Sequence, residues 1–343
     1  MRAERYIRKV IESDGPIPFS RFMDIALYHP EFGYYSTGKP FAGRGDFYTG
    51  PSLHPLFGWT IARFLISRGT FGPILEIGPG KGFLASDILD YISSREPGLY
   101  NGIRYLIIER SPAFREKTKD LLAPHAERVE WLERLPDAFS GIILANELLD
   151  AFGFDRFIKG SDGWEMLMVG PGEPFSWVRG PAREDAMRFL PEKAPPGFIY
   201  DLSVEGLGFL SDCAKSLQKG CLLVVDYGYP RDVILSSYPN GTLTCYYKHT
   251  VSDDPFVRVG EQDITYFLDW DLVRQVARGC GLVEKAFMSQ AEFLMSAGIH
   301  DLLSEMEAAH SPAEIMKARL AAKNLLLTFK NHRVLVWEKQ VRE

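Results

Sequence analysis

From about residue 70 onward, apolar and polar positions follow a repeating strand-then-helix rhythm. Short apolar runs at 73–77, 104–109, 128–132 and 141–146 predict buried strands, and helical spacing at 83–92 and 112–122 predicts the helices between them. Such alternation predicts a parallel sheet. After Glu147 the rhythm breaks. Segments 154–158, 163–169 and 174–178 read as short strands with Gly and Pro turns, hence added hairpins. A helix over 203–218 leads into a strongly apolar strand at 221–226, and 240–264 reads as loop. Then come a helix at 270–279, a strand at 282–288, a helical stretch over 290–327 broken near Ser311-Pro312, and a last strand at 332–338. Seven core strands result, the last expected antiparallel between its neighbours. Upstream, 7–11 and 18–28 have helical spacing, with Ser20 as a candidate cap and His29-Pro30 as the stop. A turn-rich loop spans 38–45, and 53–67 reads as a helix despite Pro55 and Gly58. The expected organisation is α/β: residues 1–70 as a helical and loop cap over the substrate side, then one Rossmann-like sheet domain over 71–343 with insertions at about 151–200 and 290–327.

The sharpest local signal is Ile74-Leu75-Glu76-Ile77-Gly78-Pro79-Gly80-Lys81-Gly82, a buried strand that turns through glycines into a helix. Glycines at alternate positions allow a sharp turn and a close backbone approach to a ligand. A dinucleotide site prefers Gly-x-Gly-x-x-Gly and carries a pyrophosphate on the helix N-terminus. Here an acid precedes Gly78, Gly80 and Gly82, which resembles the first motif of S-adenosylmethionine-dependent methyltransferases. The methionine part of that cofactor carries an ammonium and a carboxylate, so Glu76 near the ammonium makes electrostatic sense. A plain strand-turn-helix is the competing reading. The next apolar strand ends in Glu109, one helix and one loop later, where a carboxylate accepts ribose hydroxyls. Ser111 and Pro112 then supply a cap and a first helical residue.

Composition narrows the class. The chain has 343 residues, 46% hydrophobic and 24% charged, with a formal net charge of -6. That is ordinary globular composition without the basic excess that holds a nucleic-acid backbone. Cys213, Cys221, Cys245 and Cys280 show no C-x-x-C pairing, so no metal site is expected. No apolar run approaches a membrane span and the N-terminus lacks an apolar leader core, so a soluble, cytoplasmic protein without membrane insertion is expected.

Candidate chemistry gathers after the fourth strand, at Asn146-Glu147-Leu148-Leu149-Asp150. Ligands of open parallel sheets sit outside the carboxyl ends of the strands. Asn146 is therefore expected beside the methionine moiety, with Glu147 and Asp150 as the catalytic acids. Carboxylates there suit a cationic acceptor such as a guanidinium, which is planar and recognised bidentately. Alternatively both acids cap a helix or pair with a structural arginine. Asp46, Thr49 and Ser52 lie in a Gly/Pro-flanked loop suited to a lid, which would put Thr49 on the cofactor; local helix capping is the other reading. Tyr34, Tyr35, Phe47 and Tyr48 are candidate walls of the site or core residues, and His249 is a candidate base.

Together these pieces resemble the MidA family. The likeness is carried by Tyr28-His29-Pro30-Glu31-Phe32-Gly33-Tyr34-Tyr35, Gly45-Asp46-Phe47-Tyr48-Thr49, the glycine motif, Asn146-Glu147-Leu148-Leu149-Asp150-Ala151, Asp226-Tyr227-Gly228, Gly241-Thr242-Leu243 and Asp263-Ile264-Thr265. The resemblance implies a class I methyltransferase domain with inserted elements, S-adenosyl-L-methionine as cofactor and a protein substrate. For the family's mitochondrial member it implies symmetric dimethylation of an arginine on a respiratory complex I subunit. The chain departs from the family after Thr49: Gly50-Pro51-Ser52-Leu53-His54-Pro55 lacks the usual acid and glutamine. A non-catalytic assembly factor, a small-molecule methyltransferase and an NAD-dependent oxidoreductase are the rival readings.

Overall fold

The computed structural model describes residues 2–36, 49–69, 72–309 and 311–339. Every side chain of β1 (Ile74–Ile77) is buried, which fits a strand covered on both faces. The chain continues through β2 (Tyr105–Ile108), β3 (Val129–Leu132) and β4 (Phe139–Asn146), with helices Phe83–Arg95 and Pro112–Leu121 between them. Next come β5 (Asp155–Lys159), β6 (Trp164–Gly170), β7 (Ser176–Pro181) and β8 (Ile199–Leu202), then helix Val204–Ser216 and the long β9 (Leu217–Tyr229). Four short strands follow: β10 (Thr244–Tyr247), β11 (Thr250–Ser252), β12 (Asp263–Thr265) and β13 (Leu268–Asp269). Helix Trp270–Gly279, β14 (Leu282–Ser289), helices Gln290–Ser296, Ile299–Ala309 and Pro312–Leu327, and β15 (His332–Lys339) come last.

Two compact units share these elements. One comprises Tyr48–Leu148, Ser211–Tyr227 and Ala277–Glu343; the other comprises Met1–Phe47, Leu149–Leu210 and Gly228–Val276. The expected cap, residues 1–70, is thus divided between them at residue 48. Of the two expected insertions, 290–327 belongs to the first unit and 151–200 to the second.

The first unit is built on a sheet of order β14-β15-β9-β4-β1-β2-β3. β1, β2, β3, β4 and β9 are mutually parallel, and β15 runs antiparallel to both β9 and β14. This is the seven-strand arrangement with a reversed last strand that the sequence predicts. Leu56, Ile61 and Leu65 of helix Leu56–Ser67 share a core with Ile88, Leu89 and Ile92 of helix Phe83–Arg95. Gly58 explains how the two helices meet closely: a Cβ there would lie 2.4 Å from the Cβ of Asp87. The helix expected over 53–67 is split at His54-Pro55 into Gly50–Leu53 and Leu56–Ser67, because proline denies the backbone an N–H donor.

The second unit holds an antiparallel sheet of order β7-β6-β5-β8 and a three-stranded sheet of order β11-β10-β12. The predicted hairpins are therefore real, but 240–264 is not a plain loop. Its strands are three or four residues long, too short for a periodic signal. Helix Phe19–Tyr28 starts after Pro18, and Ser20 is inside it rather than its cap. The Ser20 N–H donates to Asp155 Oδ1 at 2.9 Å, so a carboxylate from a distant strand satisfies the helix terminus that local capping was expected to satisfy. Asp201 anchors the unit: it accepts from Arg156 Nε at 2.8 Å and from the backbone N–H groups of Thr242 and Leu243.

Candidate active site

The glycine turn after β1 has the geometry its sequence implies. Gly78, Gly80 and Gly82 all have positive φ, at 67°, 57° and 80°, a region that glycine enters without steric cost. The surroundings differ for each. A Cβ on Gly78 would lie 2.9 Å from Leu148 Cδ1, and one on Gly82 would lie 2.6 Å from Thr118 Cγ2. At Gly80 a Cβ would meet nothing within 4 Å. The outer two glycines let the turn pack against protein, and the middle one leaves room for a ligand. Thr118 also donates to Gly80 O at 2.8 Å, which fixes the turn from the following helix.

Glu76 is buried, 2% exposed, and accepts a hydrogen bond from Tyr105 Oη at 2.7 Å. Burial pushes its carboxyl up to about 7; the Tyr105 hydroxyl opposes this and the charge of Glu109 adds to it. Glu109, half-buried at the end of β2, accepts from Ser111 N at 2.7 Å and from Gly80 N at 3.3 Å. Its carboxyl is also raised by burial, against the pull of those backbone donors. The two acids predicted from sequence thus lie on neighbouring parallel strands in register, Glu76 opposite Ile107.

At the end of β4, Asn146 Oδ1 is buried and has no hydrogen-bond partner among the described residues. Such an atom costs stability unless a ligand uses it. The next residue, Glu147, sits at φ 48°, and its N–H donates to Val225 O at 2.7 Å. A non-glycine residue in the left-handed region is uncommon and is held there by its surroundings. Asp226, fully buried at the end of β9, accepts from Leu148 N at 3.2 Å and Tyr227 N at 2.8 Å, and so fixes both strand ends.

The other predicted residues have different settings. Thr49 precedes helix Gly50–Leu53: its N–H donates to Ser52 Oγ at 3.0 Å and its carbonyl accepts from that hydroxyl at 2.8 Å, which is local capping. Asp150 belongs to the second unit, buried in a short turn, with Oδ2 accepting from Thr265 Oγ1 at 3.1 Å. His249 is exposed at the tip of the β10–β11 hairpin, where it and Lys248 both have positive φ. Asp46, Phe47 and Tyr48 lie outside the described residues. Tyr34 is buried, and Tyr35 Oη donates to Asp263 Oδ1 at 2.7 Å. Sequence reasoning passed over Tyr105, Thr118 and His332. Only the last had a usable signal: an antiparallel final strand must begin at the carboxyl edge of the parallel ones.

Five parallel strands, a reversed strand between its neighbours, a glycine turn after the first strand and acids on the first two define a class I methyltransferase. The residues present fit its cofactor, which carries both donors and acceptors: an orphaned amide oxygen, open space over Gly80 and two buried or half-buried carboxylates. The chain belongs to the family described as "Putative S-adenosyl-L-methionine-dependent methyltransferase", whose model matches residues 60–288. It is therefore an S-adenosyl-L-methionine-dependent enzyme, as the resemblance implied. It is 27% identical over 331 residues to the "Protein arginine methyltransferase NDUFAF7 homolog, mitochondrial" of Drosophila melanogaster, spanning 83% of this chain and 74% of that protein. It is 24% identical over 352 residues to "Protein arginine methyltransferase NDUFAF7, mitochondrial" of Danio rerio, spanning 90% and 79%. Among solved structures, a "likely methyl transferase from Burkholderia thailandensis bound to S-adenosyl-homocysteine" superposes with a TM-score of 0.88 at 30% identity, covering 100% of this chain and 93% of that one.

These relatives overturn the expected cytoplasmic location, since they are mitochondrial proteins. Among the described residues no helix is long and apolar enough to cross a membrane.

Proposed function

We propose that this enzyme methylates an arginine side chain of a partner protein, with Glu147 holding the guanidinium. The observation that carries this is Glu147 itself. It stands at the carboxyl end of β4 in a left-handed conformation pinned by Val225 O at 2.7 Å, and strain of this kind is characteristic of functional positions. The arginine methyltransferase names of the relatives support the acceptor class. The cofactor supplies an electrophilic methyl group on a sulfonium. Around it, Glu76 takes the ammonium, Glu109 the ribose hydroxyls and Asn146 Oδ1 a donor of the methionine part. Gly78, Gly80 and Gly82 form the floor, and Thr49 lies at its margin. Glu147 orients the guanidinium and stabilises its charge, so that the gain in rate comes chiefly from positioning. The family resemblance points to a subunit of respiratory complex I as the acceptor protein.

The test is Glu147→Ala. It should bind S-adenosylmethionine like the wild type by calorimetry, yet transfer no methyl label to protein in a cell extract. Amino-acid analysis of labelled wild-type product should recover dimethylarginine. Retained transfer by the variant, or label on another residue type, defeats the proposal.

A further inference from the structure

Across β9 from Glu147 stands a histidine that nothing above has used. β15 runs antiparallel to β9, so its first residue, His332, lies at the edge where the parallel strands end, paired with Tyr227. Asn146 of β4 pairs with Val225 on the other side of the same strand. The result brings His332 Nε2 to 3.8 Å from Glu147 Oε1, with each side chain 14% exposed. That separation is beyond a hydrogen bond. Nε2 is buried and has no hydrogen-bond partner among the described residues. The ring itself is held: it lies 5.2 Å from the Tyr227 ring and 4.8 Å from that of Phe329, centroid to centroid. A fixed imidazole with an idle, buried nitrogen costs stability unless a ligand completes it.

We infer that His332 is a catalytic base, whose Nε2 takes the proton that the acceptor nitrogen gives up on methylation. This rests on the guanidinium acceptor proposed above. The acceptor nitrogen forms its bond to the methyl carbon as the carbon–sulfur bond breaks, the electron pair staying on sulfur. The nitrogen then carries one proton too many for a methylated guanidinium, and that proton passes to Nε2 and on to solvent. Glu147 contributes twice: it holds the guanidinium before transfer and faces the imidazolium after it. Burial and the neighbouring charge of Arg333 hold the His332 pKa down to about 4, so the ring is neutral at physiological pH and its lone pair is available. The charged and titratable groups around it are Glu147 just after β4, Tyr227 from β9 and Arg333 on its own strand, which stands opposite Asp226 in the strand register. The two residues Glu147 and His332 lie 185 positions apart in the chain (332 minus 147), and strand pairing alone brings them together.

The experiment compares wild type, His332→Asn and His332→Gln. With S-adenosylmethionine affinity within twofold of wild type by calorimetry, kcat for label transfer should fall roughly 10²–10⁴-fold, the span of general acid–base catalysis. At saturating S-adenosylmethionine, the acid limb of the wild-type kcat profile should disappear in both variants. A second readout needs no turnover: in ¹⁵N-imidazole NMR of wild type with S-adenosylhomocysteine, the His332 Nε2 resonance should move when methylguanidine is added. A variant that keeps wild-type kcat overturns the inference. If both variants misfold or lose the cofactor, an unmoved Nε2 resonance overturns it. Should wild type label a residue other than arginine, the acceptor reading has failed instead, and this inference falls with it.

Discussion

With Glu76 taking the ammonium as proposed, one buried side chain would tie cofactor binding to pH. Its carboxyl is pushed up to about 7 by burial, so near neutrality it is partly protonated before an ammonium arrives. Binding the ammonium favours the ionised form. Affinity for S-adenosylmethionine should therefore fall as pH drops below 7, approaching tenfold per unit well below it, and binding at pH 6 should release a proton. Calorimetry in buffers of different ionisation heat reads that release directly; identical heats in all buffers would exclude it. The same raised value has the opposite consequence for the free protein. A carboxyl whose folded pKa exceeds its unfolded one stabilises the fold at low pH, and that contribution is lost as pH rises through the folded value. Asp87, also pushed up to about 7 by burial, adds to this. Melting temperature of the ligand-free protein should carry a component that falls between about pH 4 and 7, and Asp87→Asn should flatten it. Glu109→Ala should weaken S-adenosylmethionine by roughly 1–3 kcal/mol, the range for losing a hydrogen bond to a charged group.

At the scale of elements, the glycine turn separates stability from binding. Gly82→Ala forces a methyl to 2.6 Å from Thr118 Cγ2 at φ 80°. Gly80→Ala meets open space at φ 57°. The left-handed backbone alone costs an alanine roughly 1–2 kcal/mol. Gly82→Ala should therefore lose more stability, and Gly80→Ala should lose more cofactor affinity for its stability cost, because its methyl occupies the ligand's approach. Melting and calorimetry on the pair decide it; equal losses of both kinds would refute the distinction. A contrasting element is helix Pro312–Leu327, whose Ser311 and Glu314 cap each other reciprocally. Ser311→Ala should cost about 1 kcal/mol and leave cofactor affinity unchanged. Both features are readable in sequence because capping and glycine turns act over three or four residues. The cap of helix Phe19–Tyr28 was not, because Asp155 comes from 135 residues away.

For the whole molecule, the chain's path matters more than its length. It enters and leaves the methyltransferase unit repeatedly, so residues distant in sequence build one sheet. S-adenosylhomocysteine at a hundred times its dissociation constant should stabilise the fold by roughly 2.7 kcal/mol through mass action. Hydrogen exchange should slow at 76–82 and 108–111, the turn and the end of β2 with the residues after it, if those segments form the cofactor floor. Unchanged exchange there would move the cofactor elsewhere.

What the sequence determined by itself was the class: strand-helix alternation, the glycine turn and the acids Glu76 and Glu109 are all written in short-range pattern. Hydrophobic periodicity and backbone conformational preference act locally, so a linear reading recovers them. Tertiary structure decided which acid stands beside which base. Glu147 meets His332 only because β15 runs backwards beside β9, and Glu76 meets Tyr105 only through strand register. Proximity across a sheet is set by pairing between strands, and no spacing along the chain encodes it.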